Sequence, residues 1–361
     1  MPQSLLLYCR AGFESEAASE IKFACEELSA QGFVRAKKDS AYAVFEGTDT
    51  SLFGKTIEGL DFASLVFARQ LIYSCGVVNN LPDADRITPL LAAFQEHFTE
   101  YFPDKCISAV FVETADTNEA KELQTFCKSF SKPLAAKLSQ KGWKVGEANA
   151  HAPAFHILFL SAQAAYVGIS FPNNASRWPM GIVRLKFPSA APSRSTLKLE
   201  EAFSTLLSPF EREKYLRAGM RSVDLGAAPG GWTYQLVRRS LHVTAIDNGP
   251  MDSALLASGL VEHLRTDGFK FRPKNPVDWM VCDMVEQPSR IAQLVADWFE
   301  AQQADHIVFN LKLPMKNRAS EVKKCLDMIT QSAEMAGRPF TLRCKQLYHD
   351  REEVTAYLGV R

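Results

Sequence analysis

The sequence predicts a doubly wound α/β domain in its second half, preceded by an α+β region in its first half. Two observations favour this fold class. After about residue 195, short apolar strands alternate with helices in β-α-β order, which is typical of a parallel sheet covered by helices. Before that point strands and helices also alternate, but without a phosphate-binding loop after a strand, so the first half is of a different kind.

Composition limits the classes of protein that are compatible with this chain. It has 361 residues, 41 basic and 41 acidic, and is 47% hydrophobic, which excludes a disordered tail and a uniformly basic coat for nucleic acid. No apolar run is long enough to span a bilayer, and the start lacks the basic region of a signal peptide. Eight scattered cysteines without a Cys-x-x-Cys pair predict free, mostly buried thiols in the cytoplasm and no metal site.

The elements of the first half follow from apolar spacing. Residues 17–28 have helical spacing, and Gly32 would end that helix. The other predictions are strands at 5–9, 41–45, 67–78 and 107–112, helices at 86–98 and 119–140, and a hairpin of strands 156–160 and 165–170. Together they predict two small α+β units.

Residues 172–195 are rich in proline, asparagine and serine and predict a connector. From Arg177 to Lys198 there are five basic residues and no acidic one. This run is either a solvated linker or a strip that contacts phosphates.

The second half begins with a helix that Ser195 and Thr196 could cap. Its predicted strands are 221–225, 242–246, 262–266, 279–283 and 306–311, its helices are 231–239, 289–302 and 318–335, and an antiparallel hairpin of 340–347 and 353–359 ends the chain. A ligand site is expected at the carboxyl ends of the parallel strands.

The loop Val223-Asp224-Leu225-Gly226-Ala227-Ala228-Pro229-Gly230-Gly231 carries the most specific signal. Gly226 lets the chain turn after a buried strand, and Gly230 and Gly231 would leave bare main chain against a ligand. The spacing Gly-x-x-x-Gly-Gly differs from the Gly-x-Gly-x-x-Gly of dinucleotide sites.

Acidic residues at the ends of successive strands indicate which cofactor binds there. Asp247 and Asp267 would repel a pyrophosphate but suit ribose hydroxyls, an adenine amine, an ammonium and a sulfonium, which together describe S-adenosylmethionine. Asp247 is expected at the ribose diol and Asp267 at the adenine amine. The predicted cofactor-binding residues are Ser195, Gly226, Ala228, Pro229, Gly230, Gly231, Asp247, Asp267 and Asp283.

At these residues the chain resembles a known family. Residues 178–361 are similar to the FtsJ-type ribose 2′-O-methyltransferases, which carry an Asp-Leu-Gly-x-x-Pro-Gly-Gly loop and a Lys-Asp-Lys-Glu catalytic set. With Trp178-Pro179-Met180-Gly181 and 194–201 included, the whole chain resembles those members that methylate a cytidine of bacterial 23S rRNA. The resemblance implies a Rossmann-like methyltransferase domain preceded by a ferredoxin-like segment and a THUMP domain that bind RNA.

The resemblance also implies domain limits and partners. We expect a ferredoxin-like segment over 1–80, a THUMP-like RNA-binding domain over 81–175, a linker over 176–195 and the methyltransferase domain over 196–361. The expected partner is 23S rRNA before full ribosome assembly. A cytoplasmic monomer without membrane contact is expected.

Three residues match the catalytic set of this family: Lys198, Asp283 and Lys312. Lys312 is assigned as the proton acceptor, which requires a neutral amine. Burial and the neighbouring Lys198 would lower its pKa, and Asp283 would orient the pair. Glu353 or His349 could fill the fourth position.

Two other functions remain open from the residues alone: an NAD-dependent oxidoreductase, and a non-catalytic RNA-binding assembly factor. The sequence Asp283-Met284-Val285-Glu286 differs from the Asp/Asn-Pro-Pro-Tyr/Phe of amino-group methyltransferases. Cys282 is not preceded by the proline typical of carbon-5 pyrimidine methyltransferases. Both differences favour an oxygen acceptor.

Overall fold

The computed structural model describes residues 4–48, 51–146 and 150–361. The chain divides into two compact units, Met1–Ile182 and Val183–Arg361. Among the described helices, none has both the length and the apolar character needed to cross a membrane.

The strands of the first unit are β1 (Ser4–Tyr8), β2 (Gly32–Ala36), β3 (Tyr42–Gly47), β4 (Gln70–Val78), β5 (Cys106–Ile107), β6 (Val110–Thr114), β7 (Lys144–Val145), β8 (Ala154–Ser161) and β9 (Ala164–Ser170). Within the described residues, seven of them form one sheet in the order β2-β3-β1-β4-β9-β8-β6, and β5 and β7 form a second sheet of two strands. The helices of this unit are α1 (Glu14–Glu27), α2 (Leu52–Gly59), α3 (Ile87–Phe98) and α4 (Lys121–Gln140). The seven-stranded sheet joins the segments before and after residue 80, because β4 pairs with β9. The limits predicted inside this unit stay a prediction.

Two predictions for the first unit were wrong in detail, and some of its elements were not predicted. Gly32 does not end α1 but begins β2, where an added Cβ would lie 2.4 Å from the Glu46 carbonyl oxygen. Ser29, with φ of 55°, makes the left-handed turn after the helix instead. Strand β2 and helix α2 were not predicted, and the single strand expected over 107–112 is divided between β5 and β6.

The predicted connector contains little regular structure, and its limits as a linker stay a prediction. Residues 171–195, all of which are described, contain one short 3₁₀ turn, Pro179–Gly181, and the division between the two units falls within them. On the side of the first unit, Gln70 holds the connector through hydrogen bonds with the main chain of Ser176.

In the second unit, the described strands form one seven-stranded sheet in the order β12-β11-β10-β13-β14-β16-β15. They are β10 (Arg221–Leu225), β11 (His242–Ile246), β12 (Val261–Leu264), β13 (Val277–Cys282), β14 (Ala304–Lys312), β15 (Phe340–Lys345) and β16 (Glu353–Val360). The helices are α5 (Thr196–Leu206), α6 (Pro209–Tyr215), α7 (Gly231–Val237), α8 (Ser253–Ala257), α9 (Pro288–Glu300) and α10 (Arg318–Met335). Strands β10 to β14 pair in parallel, and β16 pairs antiparallel with both β14 and β15.

This topology confirms the doubly wound sheet and its terminal hairpin. The chain order reverses beside β10, since β11 and β13 flank it, and ligands bind at such reversals in open α/β sheets. Helices α6 and α8 were not predicted. Ser195 is the N-cap residue of α5, as expected, but its side chain makes no capping bond to the described residues.

All eight cysteines are free, as predicted, and six of them are buried. Cys282 lies inside β13 with no exposed surface, which fits a packing role.

Candidate active site

The glycine-rich loop connects β10 to α7 at the carboxyl edge of the sheet. Gly226 has φ of +80° and Gly230 has φ of +117°, a region that side chains other than glycine rarely adopt. An added Cβ on Gly226 would lie 2.7 Å from Met284 Cγ and 3.2 Å from the Met284 main-chain nitrogen. The loop therefore packs directly against the residue that follows Asp283.

The other two glycines of the loop, Gly230 and Gly231, lie against side chains of the same unit. A Cβ on Gly230 would meet Leu255 Cδ1 at 2.4 Å, and one on Gly231 would meet Ser195 Oγ at 2.1 Å. Their missing side chains thus make room for this chain's own residues, and their contact with a ligand stays a prediction. Ser195, whose Oγ lies 2.6 Å from Ser193 Oγ, is brought against the start of α7 in this way.

The two strand-end aspartates differ in their surroundings. Asp247 accepts hydrogen bonds from Ala228 N at 3.0 Å and from Gly249 N at 2.7 Å, so its carboxylate fixes the glycine-rich loop. Asp267 accepts from Phe269 N at 2.9 Å in an exposed turn. The structure joins Asp247 directly to the loop and leaves Asp267 open to solvent.

Asp224, inside β10, is the most deeply buried carboxyl group of this edge. Its Oδ2 accepts the Thr233 hydroxyl at 2.6 Å, while its Oδ1 has no hydrogen-bond partner among the described residues. Burial raises its pKa to about 7, and the negative charges of Asp283 and Asp247 add to the rise.

This pKa predicts a dependence of stability on pH. An unfolded aspartate has a pKa of about 3.9, so between about pH 4 and pH 7 the folded state binds more protons than the unfolded state. The free energy of unfolding should therefore fall as the pH rises through this window, because the ionised form is favoured on unfolding. Asp224→Asn should remove that contribution. Urea unfolding at pH 5 and pH 8 checks this: the variant should gain stability relative to wild type at the higher pH, and an equal difference at both values would contradict it.

Four charged side chains meet at the carboxyl ends of β13 and β14. Lys312 Nζ donates to Asp283 Oδ1 at 2.8 Å and also pairs with Glu353. Lys198 Nζ lies 3.6 Å from Asp283 Oδ2 and pairs with the other oxygen of Glu353. Two amines and two carboxylates therefore form one closed, electrically balanced cluster.

Strand register and helix packing produce this cluster. Asp283 follows the last residue of β13, and Lys312 is the last residue of β14. The antiparallel pairing of β14 with β16 puts Glu353 directly opposite Lys312. Lys198 comes from the first turn of α5, which packs on β16 through its apolar face.

The predicted lowering of the Lys312 pKa was wrong. Burial of the amine acts to lower the pKa, but the carboxylates of Asp283 and Glu353 outweigh it, and the pKa is raised above its ordinary value. The positive charge of Lys198 would lower this pKa, but Lys198 is itself paired with both carboxylates, so its effect on the Lys312 pKa is the smaller one. The cluster holds Lys312 mainly as an ammonium.

His349 lies elsewhere. Its Nδ1 is 2.6 Å from Glu201 Oε2, and Glu201 also accepts the main-chain N–H groups of Tyr348 at 2.8 Å and His349 at 3.0 Å. The structure thus brings Glu353 to the two lysines and binds His349 to a buried glutamate of α5.

Sequence reasoning missed three polar residues behind the cluster: Asn310, Thr355 and Asp350. Asn310 Nδ2 donates to Asp283 Oδ1 at 2.7 Å, and Thr355 lies opposite Asn310 in the sheet. A usable signal was present, because Asn310 interrupts the apolar stretch from Ile307 to Leu311 within β14. Buried polar groups in such strands need partners, which indicates a network.

The comparison with known families and proteins agrees with this site. Three family descriptions match: "RlmM ferredoxin-like domain" over 1–72, "Ribosomal RNA large subunit methyltransferase M, N-terminal" over 85–171, and "FtsJ-like methyltransferase" over 191–331. Among solved structures, the match to TrmN from Thermus thermophilus covers 99% of this chain and 100% of that one, at 14% identity and a TM-score of 0.37.

Full-length relatives are much more similar. The ribosomal RNA large subunit methyltransferase M of Methylococcus capsulatus is 52% identical over 99% of this chain and 98% of its own. The proteins of the same name from Thauera aminoaromatica and Pseudoalteromonas translucida are 49% and 48% identical, each over 99% of this chain and 96% and 97% of their own. The chain therefore belongs to the ribosomal RNA large subunit methyltransferase M family, with an FtsJ-like methyltransferase domain.

Proposed function

We propose that this protein transfers a methyl group from S-adenosylmethionine to the ribose 2′-hydroxyl of a cytidine in 23S rRNA, with Lys312 as proton acceptor. One observation carries the proposal: the Lys198, Asp283, Lys312 and Glu353 cluster lies at the same sheet edge as the glycine-rich loop. Family membership supports rRNA as the substrate and S-adenosylmethionine as the cofactor. The choice of cytidine comes from resemblance alone.

The residues of the loop fit this cofactor. The unpartnered oxygen of Asp224 and the carboxylate of Asp247 are acceptor groups beside the loop, which favours a ligand that carries an ammonium and a sulfonium. Gly226 and Gly230 have positive φ angles, and neither places a side chain between the loop and a bound ligand. When bound, S-adenosylmethionine supplies an electrophilic methyl group.

The chain's own part in the reaction is to orient the hydroxyl and to take its proton. Asp283 and Glu353 hold the Lys312 amine in one position by hydrogen bonds to two of its protons. Lys198 pairs with both carboxylates and so balances the second negative charge of the cluster. Because the Lys312 pKa is raised, only a minor neutral fraction of this amine acts as the base.

This mechanism predicts the pH dependence of kcat. The neutral fraction of Lys312 grows with pH, so kcat should rise through the alkaline range and level off only near the raised pKa. Glu353→Gln removes one of the charges that raise this pKa, so the rising limb of the pH profile should move to lower pH.

The matched control for this experiment is Glu352→Gln. Glu352 is the neighbouring residue, but its partner is Arg318, at 2.6 Å, and its side chain is 62% exposed. Initial rates at saturating RNA between pH 6 and pH 10 should place the wild type and this control on one curve. An unmoved limb in Glu353→Gln would remove Lys312 from the role of base.

Basic and aromatic side chains beside the site support an RNA substrate. In the connector, the Arg184 guanidinium lies 6.0 Å from the Tyr348 ring and that of Arg194 lies 6.0 Å from the Phe187 ring. Exposed arginine and aromatic groups of this kind bind phosphates and stack on bases. We propose that this strip meets the RNA, that the ferredoxin-like segment (1–80) and THUMP-like domain (81–175) bind it as well, and that the protein acts as a cytoplasmic monomer.

The test is methylation of a 23S rRNA transcript by the purified protein with labelled S-adenosylmethionine, followed by digestion to nucleosides. A 2′-O-methylcytidine product is expected. Calorimetry with S-adenosylhomocysteine and with NADH distinguishes a methyltransferase from an NAD-dependent oxidoreductase. Two results would overturn the proposal: binding of NADH but not of S-adenosylhomocysteine, or no labelled product with an undegraded 23S rRNA transcript.

A further inference from the structure

The two most exposed large apolar side chains of the described residues come directly after the charged cluster in sequence. Val285 is 88% exposed and follows Asp283 by two residues, and Met315 is 95% exposed and follows Lys312 by three. Single exposed apolar residues are ordinary on a protein surface. The unusual feature is that the two extremes lie on the two loops that leave the candidate catalytic residues.

Strand pairing brings both loops to the same edge of the sheet. Strands β13 and β14 are parallel neighbours, and Lys312 Nζ lies 2.8 Å from Asp283 Oδ1 where they end. Two residues of chain span at most about 7 Å and three at most about 11 Å. Both exposed side chains therefore begin within reach of a molecule that is bound at the Lys312 amine.

Each loop is held at its base, close to its exposed residue. The N–H of Leu313 donates to the Glu352 carbonyl oxygen at 2.8 Å. On the other loop, Met284 lies against Gly226, where an added Cβ would be 2.7 Å from Met284 Cγ. A binding surface on loops that are already held in place loses less conformational freedom when a ligand binds.

The reaction itself determines which part of the substrate comes to these loops. To give its proton to Lys312, the 2′-hydroxyl must lie within hydrogen-bonding distance of Nζ. The base of the same nucleotide is bonded to the ribose carbon next to the one that carries this hydroxyl, so the base lies beside the amine as well. A base removed from its stack exposes two flat faces, which proteins cover with aromatic or apolar side chains.

We propose that Val285 and Met315 form the subsite for the base of the target nucleotide, an inference that rests on the proposed function. The two uncharged side chains contact the faces of an unstacked, neutral ring, and through the base they position the ribose at Lys312. Apolar contacts carry no hydrogen-bond code, so this subsite orients the nucleotide and does not itself distinguish cytosine from uracil.

Substitutions at the two loops test this subsite. Met315→Ala and Val285→Ser should each lower kcat/KM for the RNA about tenfold, the usual effect of losing one stacking contact with a base. Met315→Leu keeps the apolar surface and should stay close to wild type. Because both side chains are exposed, thermal unfolding should be unchanged in all three variants.

Met335→Ala is the matched control. Met335 is also strongly exposed, at 75%, but it is the last residue of α10, at the opposite end of that helix from the Met315 loop. Its replacement removes the same chemical group and should leave kcat/KM unchanged.

A second substrate shows whether these side chains act on the base. In this RNA, the ribose at the target position carries a hydrogen atom in place of its base. Wild type should methylate it at least tenfold more slowly than the ordinary RNA. Met315→Ala and Val285→Ser should lose nothing further, because the contact is already absent.

The outcomes separate this proposal from the proposed function. If wild type methylates the ribose but Met315→Ala is equally harmful with and without the base, the subsite is overturned and the proposed function stands. Wild-type rates in both Met315→Ala and Val285→Ser on the ordinary RNA would overturn the subsite in the same way. If wild type methylates neither RNA, the proposed function fails and the subsite fails with it.

Discussion

Replacing Lys312 by alanine is expected to lower kcat for methyl transfer by about 10²- to 10⁴-fold, the usual contribution of a general base. The physical reason is the position of Lys312 Nζ. This amine is held at the end of β14 by Asp283, at 2.8 Å, and by Glu353. Affinity for S-adenosylhomocysteine, measured by calorimetry, should remain largely intact because the glycine-rich loop is untouched.

Two further variants sharpen this prediction. Lys312→Arg keeps a positive charge but cannot be deprotonated near neutral pH, so it should be nearly as slow as the alanine variant. Lys323→Ala removes a lysine of α10 that is paired with Asp327 at 3.0 Å and is 66% exposed, and it should have wild-type kcat. Substantial activity in Lys312→Arg would mean that charge, and not proton transfer, is what Lys312 provides.

Replacing Gly226 by alanine is expected to weaken cofactor binding about a hundredfold. A left-handed residue with a Cβ costs about 1–2 kcal/mol, and here the Cβ would also press on the main chain of Met284, 3.2 Å away. Since each 1.4 kcal/mol is a factor of ten in affinity, a strained loop of this kind loses one to two orders of magnitude. Displacement of Met284 would also disturb Asp283.

Gly219→Ala is the matched control for this change. Gly219 has φ of +83°, almost the same as Gly226, but an added Cβ would meet nothing within 4 Å. Calorimetry with S-adenosylhomocysteine should give near wild-type affinity for the control and greatly reduced affinity for Gly226→Ala. Equal affinities in the two variants would mean that the contact with Met284 is unimportant.

The sheet of the second unit was predictable because its strands are short apolar runs with clear ends. Asp283 and Lys312 come directly after or at the end of such runs, and parallel strands bring their carboxyl ends to one edge. In the first unit, β2 was missed because Phe33 is exposed and the strand lacks a continuous apolar pattern. Helix α2 was missed because it is only eight residues long and contains two glycines.

The electrostatics of the cluster could not be predicted from the sequence. Whether the Lys312 pKa rises or falls depends on how many carboxylates face the amine, and the facing residue is set by the register between β14 and β16. A shift of two residues in that pairing would put Thr355 or Arg351 opposite Lys312 in place of Glu353. The same register creates the pair of Asn310 and Thr355, which are 45 residues apart in the chain.

The most direct test of the central claim is mass spectrometry of ribose methylation in 23S rRNA from a strain that lacks this gene. Returning the wild-type gene should restore one 2′-O-methylcytidine, and returning Lys312→Ala at equal protein level should not. Methylation on a base, or full restoration by the alanine variant, would contradict the assignment of this cluster to a sugar hydroxyl.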